Sequence, residues 1–171
     1  MILVRVEVVR NTKSVMAIKV EQILLDKKIG YTLIPLKEKA YTVSDVVTFT
    51  GGQVKADEIC KTIILRDKKT GNTIAVFLLG NHKIDFAKAK KIFGQNLAIA
   101  SPEEVLAAAG VEPGAVCPFL LAVPLFVDAH VMGLKNIHCG SGDHLFGLEF
   151  QLADLEKVVP YQIVDIAKSN T

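Results

Sequence analysis

A short loop marked by glycine and proline is the segment of this chain whose residue types most clearly allow chemistry. It begins at Gly114 and ends at Pro118, and the residues between them are small or apolar: Ala115, Val116 and Cys117. Because Gly114 has no Cβ, the loop can bring backbone N–H groups close to a ligand. The loop is therefore a candidate cradle for an anion or a carbonyl oxygen. From these residues alone, an ordinary connector from a helix to a strand is the favoured interpretation, and the cradle stays open.

Lys61 is the charged side chain with the most informative position. It stands near the start of an apolar run rich in β-branched residues, 59–65. Lysine is disfavoured within such a strand unless it is exposed or paired. Two interpretations stay open: a solvated ammonium at an exposed strand end, or a cation at the rim of a pocket, where it can grip a phosphate or polarise a bound ester.

Histidine and cysteine in the last third of the chain give a weaker signal, for a metal. His138, Cys139 and His144 lie within one short segment. Zinc sites usually pair their ligands two to four residues apart and then repeat the pair. This segment has no repeated pair, so the sequence predicts no metal site. It predicts no nucleotide cofactor either, because no glycine-rich dinucleotide or P-loop pattern opens a helix.

Ser141 raises the question of a nucleophile triad, since histidines and aspartates lie nearby in the sequence. It stands between Gly140 and Gly142, without the flanking spacing of the G-x-S-x-G elbow. A triad is defined by geometry rather than by sequence. The favoured interpretation is a tight turn between two strands, and a polar loop that faces a ligand stays open.

Composition predicts one globular domain, residues 1–171. Half of the residues are hydrophobic, which is enough to bury a core in a chain of 171 residues. The net charge of +2 is too small to indicate a nucleic-acid binder, and DNA is not expected as a partner. The lysines form two clusters in the sequence: Lys83, Lys88, Lys90 and Lys91 in one, and Lys55, Lys61, Lys68 and Lys69 in the other. They would form a phosphate-contacting patch only if the two clusters converge in space.

A cytoplasmic location is the expectation from targeting signals and cysteine usage. The first residues lack a basic leader and a small-residue cleavage site. The longest apolar run, 116–127, is too short for a membrane span and contains Pro118 and Pro124. Three cysteines far apart in the sequence, with no CxxC motif, fit a reducing compartment.

Hydrophobic periodicity and turn residues predict the elements that must position these groups. Helices are expected over 15–28, from 43 onward with Thr42 as the cap, over 85–93 and over 102–109. The last of these has Ser101 as its N-cap, Glu104 completing a capping box and Gly110 as its stop. Strands are expected over 1–9, 31–36, 59–65, 73–79, 97–100, 121–127, 135–139 and 145–152, with a helical turn over 153–158. This mixture predicts an α+β fold around a mixed sheet.

Several of these segments, in this order, resemble the YbaK family, the editing domains associated with prolyl-tRNA synthetase. The matching parts cover about residues 15–158. The most specific are the Lys61-Thr62 strand, the Ser-Pro-Glu-Glu-Val helix of residues 101–105, and the G-x-x-x-P loop of residues 114–118. The resemblance implies a single domain with a mixed, barrel-like β-sheet surrounded by helices.

The resemblance also implies an activity, namely a free-standing trans-editing aminoacyl-tRNA deacylase. Such an enzyme hydrolyses the ester of mischarged tRNA, here cysteinyl- or alanyl-tRNA for proline, by positioned water and backbone stabilisation of the oxyanion. The resemblance implies neither a metal nor another cofactor. The implied partners are the acceptor end of aminoacyl-tRNA and, as a candidate, prolyl-tRNA synthetase. The implied catalytic residues are Lys61 and Gly114, and the implied substrate contacts are Thr62, Ala115, Val116, Cys117, Pro118, Gly140, Ser141 and Gly142.

Alternatives to this function stay open from the sequence. The last glycine-rich loop, with His138, Cys139 and His144, varies within the family, so alanine, cysteine and hydroxyl amino acids all remain as substrates. A non-catalytic module could use the same pocket to hold a tRNA acceptor end or a protein. A hydrolase that depends on a thiol or a metal, through Cys117 or Cys139, is a third interpretation.

Overall fold

Four α-helices in the described part of the chain each begin at a polar capping side chain. The computed structural model describes residues 13–170, so the predicted strand 1–9 lies outside the described residues. The side chain of the residue before each helix accepts a hydrogen bond from a backbone N–H of the first turn, which stabilises the helix start. These helices are α1 (Val15–Asp26), α2 (Val43–Phe49), α3 (Phe86–Phe93) and α4 (Pro102–Ala109).

The start of α4 confirms most of its predicted signals and corrects one. Ser101 Oγ accepts from the Glu104 amide at 3.3 Å, Pro102 lies in the first turn, and Gly110 ends the helix with a φ of 72°. The Glu104 carboxylate does not close the predicted capping box; it lies 3.4 Å from Arg66 Nε instead. A complete capping box occurs at α2, where Thr42 and Asp45 hydrogen-bond to each other's backbone.

Ten β-strands form three sheets within the described residues. A five-stranded sheet has the order β5-β2-β3-β6-β9, a three-stranded sheet has the order β1-β8-β7, and β10 pairs with β4. The strands are β1 (Tyr31–Pro35), β2 (Cys60–Asp67), β3 (Thr73–Leu79), β4 (His82–Ile84), β5 (Leu97–Ile99), β6 (Leu125–Asp128), β7 (Asn136–Gly140), β8 (Phe146–Gln151), β9 (Tyr161–Val164) and β10 (Ala167–Ser169).

The five-stranded sheet is mixed, as the sequence predicts. β2 and β3 form an antiparallel hairpin in which Lys61 is opposite Leu78, whereas β3–β6 and β6–β9 pair in parallel. The two larger sheets meet where Ile59, just before β2, makes a parallel bridge with His138 of β7. This bridge fixes the start of β2 beside β7, and it therefore decides which side chains of the two sheets face each other. The predicted mixed α/β class is confirmed.

The predicted strand over residues 121–127 is partly wrong. Pro118–Leu120 forms a turn of 3₁₀-helix, and the strand begins only at Leu125. Pro124 has no N–H to donate to a ladder, which fits a strand that starts after it. The predicted helical turn near residue 155 is a 3₁₀-helix, Leu152–Lys157. The short strands β4, β9 and β10 were not predicted.

Two hydrophobic clusters hold these layers together. The larger lies between the two main sheets and the helices α1 and α4, and it includes the fully buried Leu24, Phe77 and Leu148. The smaller packs β2 and β3 against α3, β4 and the C-terminal residues Ile166 and Ala167. No helix in residues 13–170 has the length and apolar character needed to cross a membrane.

Candidate functional site

A cavity of about 500 Å³ opens where the two main sheets meet α2. Its size is in the range of small-molecule sites in proteins. Its lining contains Lys61 and Thr62 from β2, residues of the loop after α4, and residues from the end of β7. The sequence-predicted site residues in this lining are Lys61, Thr62, Gly114, Ala115, Val116 and Gly140.

Lys61 is half-buried and held in place by one hydrogen bond. Its ammonium donates to the carbonyl oxygen of Gly80 at 3.0 Å. Burial lowers the pKa of Lys61 below its ordinary value, because desolvation disfavours the charged form. Of the two interpretations open from the sequence, the structure favours the cation at a pocket. An ammonium has three N–H donors, so the bond to Gly80 leaves donors for a ligand.

Gly114 lies at the exposed mouth of the cavity, where only glycine fits without strain. Its φ is +102°, a conformation that side-chain-bearing residues rarely adopt. A Cβ built at Gly114 would lie 3.0 Å from both the Cα and the carbonyl oxygen of Tyr41. The loop can therefore run directly against the chain that leads into α2.

Gly140 and Gly142 support the loop from the other side. A Cβ on Gly140 would lie 2.5 Å from the Val116 carbonyl oxygen and 2.8 Å from the Ala115 carbonyl carbon. The amide of Gly142 donates to the Ala115 carbonyl oxygen at 2.8 Å. The glycine-rich segment after β7 thus fixes the backbone of residues 115–116 at the cavity wall.

Four of the sequence-predicted substrate contacts lie outside the lining: Cys117, Pro118, Ser141 and Gly142. Cys117 and Pro118 are buried, because the loop turns from the cavity into the core after Val116. The Ser141 hydroxyl donates to the Phe146 carbonyl oxygen at 2.7 Å and accepts from the Asp143 amide at 3.2 Å. Ser141 is fully buried in the turn between β7 and β8, the arrangement that the favoured interpretation of its sequence expects.

The three cysteines are buried thiols rather than activated nucleophiles. Burial raises the pKa of Cys60 and of Cys117 to about 12, and it raises that of Cys139 well above its ordinary value. A thiolate is the reactive form of cysteine, and these environments disfavour it at neutral pH. Cys60 and Cys139 line the main cavity, but the burial of their thiols gives no support to a thiol-dependent hydrolase.

Two rings form one side of the cavity mouth. Tyr41 is half-exposed, and its ring centroid lies 4.5 Å from that of His144. His144 Nε2 is 3.2 Å from the Pro113 carbonyl oxygen, which ties this ring to the start of the loop. The pair presents a π surface beside Gly114, and such surfaces can stack on the bases of single-stranded RNA.

Two further polar residues in and beside the cavity, His138 and Glu58, were not assigned a role from sequence. His138 Nε2 lies 3.3 Å from Glu58 Oε2, while His138 Nδ1 and Thr62 Oγ1 are buried without a hydrogen-bond partner. The partnership of Glu58 with His138 depends on the bridge between Ile59 and His138. No local sequence signal indicates that pairing.

The residues best placed to hold a metal form a different group from the one considered in the sequence. Among the described residues, ligand atoms of His82, Asp128 and His130 lie within 4.8 Å of one another. None of these residues lines the cavity. The Asp128 carboxylate already accepts hydrogen bonds from the backbone amides of His130, Ile166 and Ala167, so it has a structural role without a metal.

The two lysine clusters converge only in part. Lys68 and Lys90, one from each cluster, line a second groove beside β5. Lys88 instead pairs with Asp165 at 2.8 Å, and Lys61 belongs to the main cavity. The eight lysines of the two clusters therefore do not form one broad basic face.

The fold and the cavity define an α/β domain whose main cavity is lined by Lys61 and by the loop of residues 114–116. A family model described as aminoacyl-tRNA editing domain matches residues 37–158, which includes every group that lines this cavity except Ile34 and Leu36. The chain belongs to this family.

Solved structures show the same fold. A hypothetical protein is 26 % identical with a TM-score of 0.78, over 88 % of this chain and 99 % of that one. A candidate trans-editing enzyme for prolyl-tRNA synthetase is 20 % identical with a TM-score of 0.78, over 92 % of this chain and 100 % of that one. A candidate signal transduction protein from Marinobacter aquaeolei VT8 is 21 % identical with a TM-score of 0.65, over 88 % of this chain and 30 % of that one.

Proposed function

We propose that this chain is a free-standing, trans-editing aminoacyl-tRNA deacylase. It hydrolyses the ester of mischarged tRNA, with cysteinyl- or alanyl-tRNA for proline as the expected substrates. One observation carries the proposal: in a member of the aminoacyl-tRNA editing domain family, Lys61 and Gly114 line the same cavity. Residues 1–171 form one such domain in this proposal, and its setting is the cytoplasm.

Lys61 supplies the positive charge in the proposed reaction. An aminoacyl ester is already activated, so a catalyst needs to position water and stabilise the oxyanion that develops. The bond to Gly80 orients the ammonium, and in this proposal its remaining donors bind the 3′ end of the tRNA. A preorganised charge of this kind costs no reorganisation when the ester carbonyl is attacked.

The loop of residues 114–116 supplies the other half of the site. Gly114 lets the backbone approach the ester carbonyl, and Ala115 and Val116 limit the size of the amino-acid side chain. The attacking group is water in this proposal. Two facts support that assignment: the thiols are buried with raised pKa values, and the Ser141 hydroxyl is bonded to the Phe146 carbonyl oxygen.

The acceptor end of the tRNA binds across the mouth of the cavity. Tyr41 and His144 are placed to stack on the terminal adenine, since aromatic stacking is the usual contact to an unpaired base. The structural neighbour described as a candidate trans-editing enzyme for prolyl-tRNA synthetase supports tRNA for proline as the substrate. The synthetase itself is a candidate partner on the same ground.

The test is release of the amino acid from alanyl- and cysteinyl-tRNA for proline, with Lys61→Ala beside the wild type. The expected result is multiple-turnover hydrolysis by the wild type and a loss of about a hundredfold or more in the variant. Tight binding of aminoacyl-tRNA without turnover would instead select the non-catalytic module. Hydrolysis that Lys61→Ala leaves unchanged would overturn the proposed mechanism.

A further inference from the structure

Two buried polar atoms in the cavity lack any hydrogen-bond partner within the described residues: Thr62 Oγ1 and His138 Nδ1. Thr62 is 8 % exposed and His138 is 7 % exposed, whereas Tyr41 at the mouth is 51 % exposed. Thr62 and His138 are both among the residues that line the cavity. Native proteins rarely leave buried polar groups unpaired, and a molecule bound in the cavity is one way to supply the missing bonds.

The contact with Glu58 determines what His138 can offer to a ligand. Its Nε2 faces the Glu58 carboxylate at 3.3 Å, and a carboxylate only accepts hydrogen bonds. We therefore assign the proton of the neutral ring to Nε2, the nitrogen that faces the carboxylate, which leaves Nδ1 as an acceptor. The parallel bridge between Ile59 and His138 holds this pair in register.

Thr62 complements this acceptor, because its hydroxyl can both donate and accept. The rest of the buried lining is largely apolar, including Val54, Ile59 and Phe146. Among the described residues, the buried part of the cavity thus combines apolar walls with one unpaired acceptor and one unpaired hydroxyl. A small group that donates and accepts at once, a hydroxyl or a thiol, matches this pattern, whereas a methyl group leaves both protein atoms unpaired.

Resting on the proposed deacylase function, we infer that Thr62 and His138 form the polar end of the amino-acid pocket. The substrate class is then aminoacyl esters with a small hydroxyl or thiol side chain, serine or cysteine, in preference to alanine. Glu58 acts through His138 as a positioning residue. Sites built to hydrogen-bond a substrate group discriminate strongly against the analogue that lacks it, because their own buried atoms then stay unpaired.

The test compares single-turnover deacylation of seryl-, cysteinyl- and alanyl-tRNA for proline. The wild type is expected to hydrolyse the seryl or the cysteinyl ester at least about tenfold faster than the alanyl ester. Thr62→Val removes one hydroxyl at constant shape and is expected to bring this ratio close to one. The matched control is Thr50→Val: Thr50 also lines the cavity at 8 % exposed, but its hydroxyl donates to the Val46 carbonyl oxygen at 2.8 Å. It should leave the ratio as in the wild type.

A second variant tests the histidine separately. His138→Gln keeps an amide donor near the Nε2 position, facing Glu58, and removes the Nδ1 acceptor. It is expected to lower the ratio as Thr62→Val does, with a thermal unfolding midpoint within a few degrees of the wild type. His138→Asn, which places its amide near the Nδ1 position, should retain more of the preference than His138→Gln.

The outcomes separate this inference from the proposed function. Faster hydrolysis of the alanyl ester, or an equal loss on all three esters in Thr62→Val, would overturn the polar pocket while leaving the deacylase in place. Hydrolysis of none of the three esters by the wild type would overturn the deacylase itself. The affinities of non-hydrolysable amide analogues of seryl- and alanyl-adenosine then test the pocket without turnover. Equal affinity for the two analogues contradicts the polar pocket, and tighter binding of the seryl analogue supports it.

Discussion

The ammonium of Lys61 donates a hydrogen bond to the carbonyl oxygen of Gly80 at 3.0 Å. A Cβ on Gly80 would lie 2.6 Å from a methyl carbon of Val43, so α2 packs directly over this residue. The residue at the other side of the cavity mouth, Gly114, lies against the backbone of Tyr41, just before α2. The cation and the loop are thus positioned by the two sides of one short segment, residues 41–43.

Replacement of Lys61 is expected to lower deacylation much more than it lowers stability. Lys61→Met keeps the apolar stem but removes the charge, and loss of one preorganised donor typically lowers a rate by about 10²- to 10³-fold. The measurement is single-turnover deacylation together with urea unfolding. Lys69→Met, at an exposed turn position outside the cavity, is the control and should change neither quantity appreciably. An equal effect of both variants would contradict a specific role for Lys61.

The alkaline limb of the pH–rate profile is expected to report the same ammonium. Burial lowers the pKa of Lys61 from its ordinary value of 10.5, so the charged form is lost as pH rises through a value below 10.5. The rate, corrected for spontaneous ester hydrolysis, should fall on this limb. Any activity that Lys61→Arg retains should persist to higher pH, because guanidinium stays protonated. An identical alkaline limb in both proteins would assign the titration to another group.

Gly114→Ala is expected to destabilise the fold and to impair deacylation. The substitution forces alanine to a φ of +102° and places its Cβ 3.0 Å from the Tyr41 backbone. Strain of this kind costs about 1–3 kcal/mol in the free energy of unfolding. Gly133→Ala is the matched control, since Gly133 has open space around its Cβ position and no positive φ, and it should change stability by less than about 0.5 kcal/mol. Both variants are measured by urea unfolding. Equal free energies of unfolding would contradict the requirement for glycine at position 114.

Asp128→Asn is expected to lower stability at neutral pH, and to lower it less at low pH. Burial alone would raise the pKa of Asp128, but hydrogen bonds from Ile166, His130 and Ala167 outweigh it and bring the pKa below the ordinary value of 3.8. A carboxylate with a depressed pKa stabilises the fold above its unfolded-state pKa, and this contribution is lost as pH falls through the folded-state pKa. The expected loss near pH 7 is about 2 kcal/mol.

The measurement for Asp128→Asn is thermal or urea unfolding from pH 7 down to pH 3. The difference from the wild type should shrink as the carboxylate is protonated. Asp165→Asn is the control, because its exposed ion pair with Lys88 should contribute less than about 1 kcal/mol. A difference that stays constant over the whole range would show that shape, rather than charge, is the important property of Asp128.

The cysteines are expected to be unreactive in the native protein. Burial raises the pKa of Cys60 and Cys117 to about 12, so the thiolate fraction near pH 8 is very small. A colorimetric disulfide reagent should modify the three thiols slowly in the folded state and rapidly in denaturant. Deacylation should survive treatment of the native protein with iodoacetamide. Rapid stoichiometric inactivation would revive the thiol-dependent hydrolase.

Local sequence signals predicted the helix starts well, because capping is a short-range interaction. Thr42 and Ser101 were assigned as caps from their neighbours alone, and both accept a backbone N–H in the structure. Glu104 was assigned to a capping box and pairs with Arg66 instead, because β2 lies beside α4. The short strands β9 and β10 were missed, since their pairing with β6 and β4 is set by distant parts of the chain.

In the candidate site, too, the features with a local sequence signal were predicted, and those that depend on contacts between distant segments were not. Lys61 and the loop of residues 114–116 could be proposed from residue type and spacing, and they line a common cavity. Spacing alone did not show that the chain turns inward after Val116, which takes Cys117 and Pro118 out of the lining. The pairing of His138 with Glu58 depends on the register between the two sheets, which no segment of the sequence encodes locally.

The matched family segment, residues 37–158, does not contain all of the residues that bury the hydrophobic core. Val20 and Leu24 precede it and Ile166 and Ala167 follow it, and all four have no exposed surface. Asp128 Oδ1 accepts hydrogen bonds from the amides of both Ile166 and Ala167 at 2.9 Å, which ties these two residues to the C-terminal end of β6. A version trimmed to the segment boundaries would open the core to water at both ends, so recombinant fragments for ligand work need residues from α1 through β10.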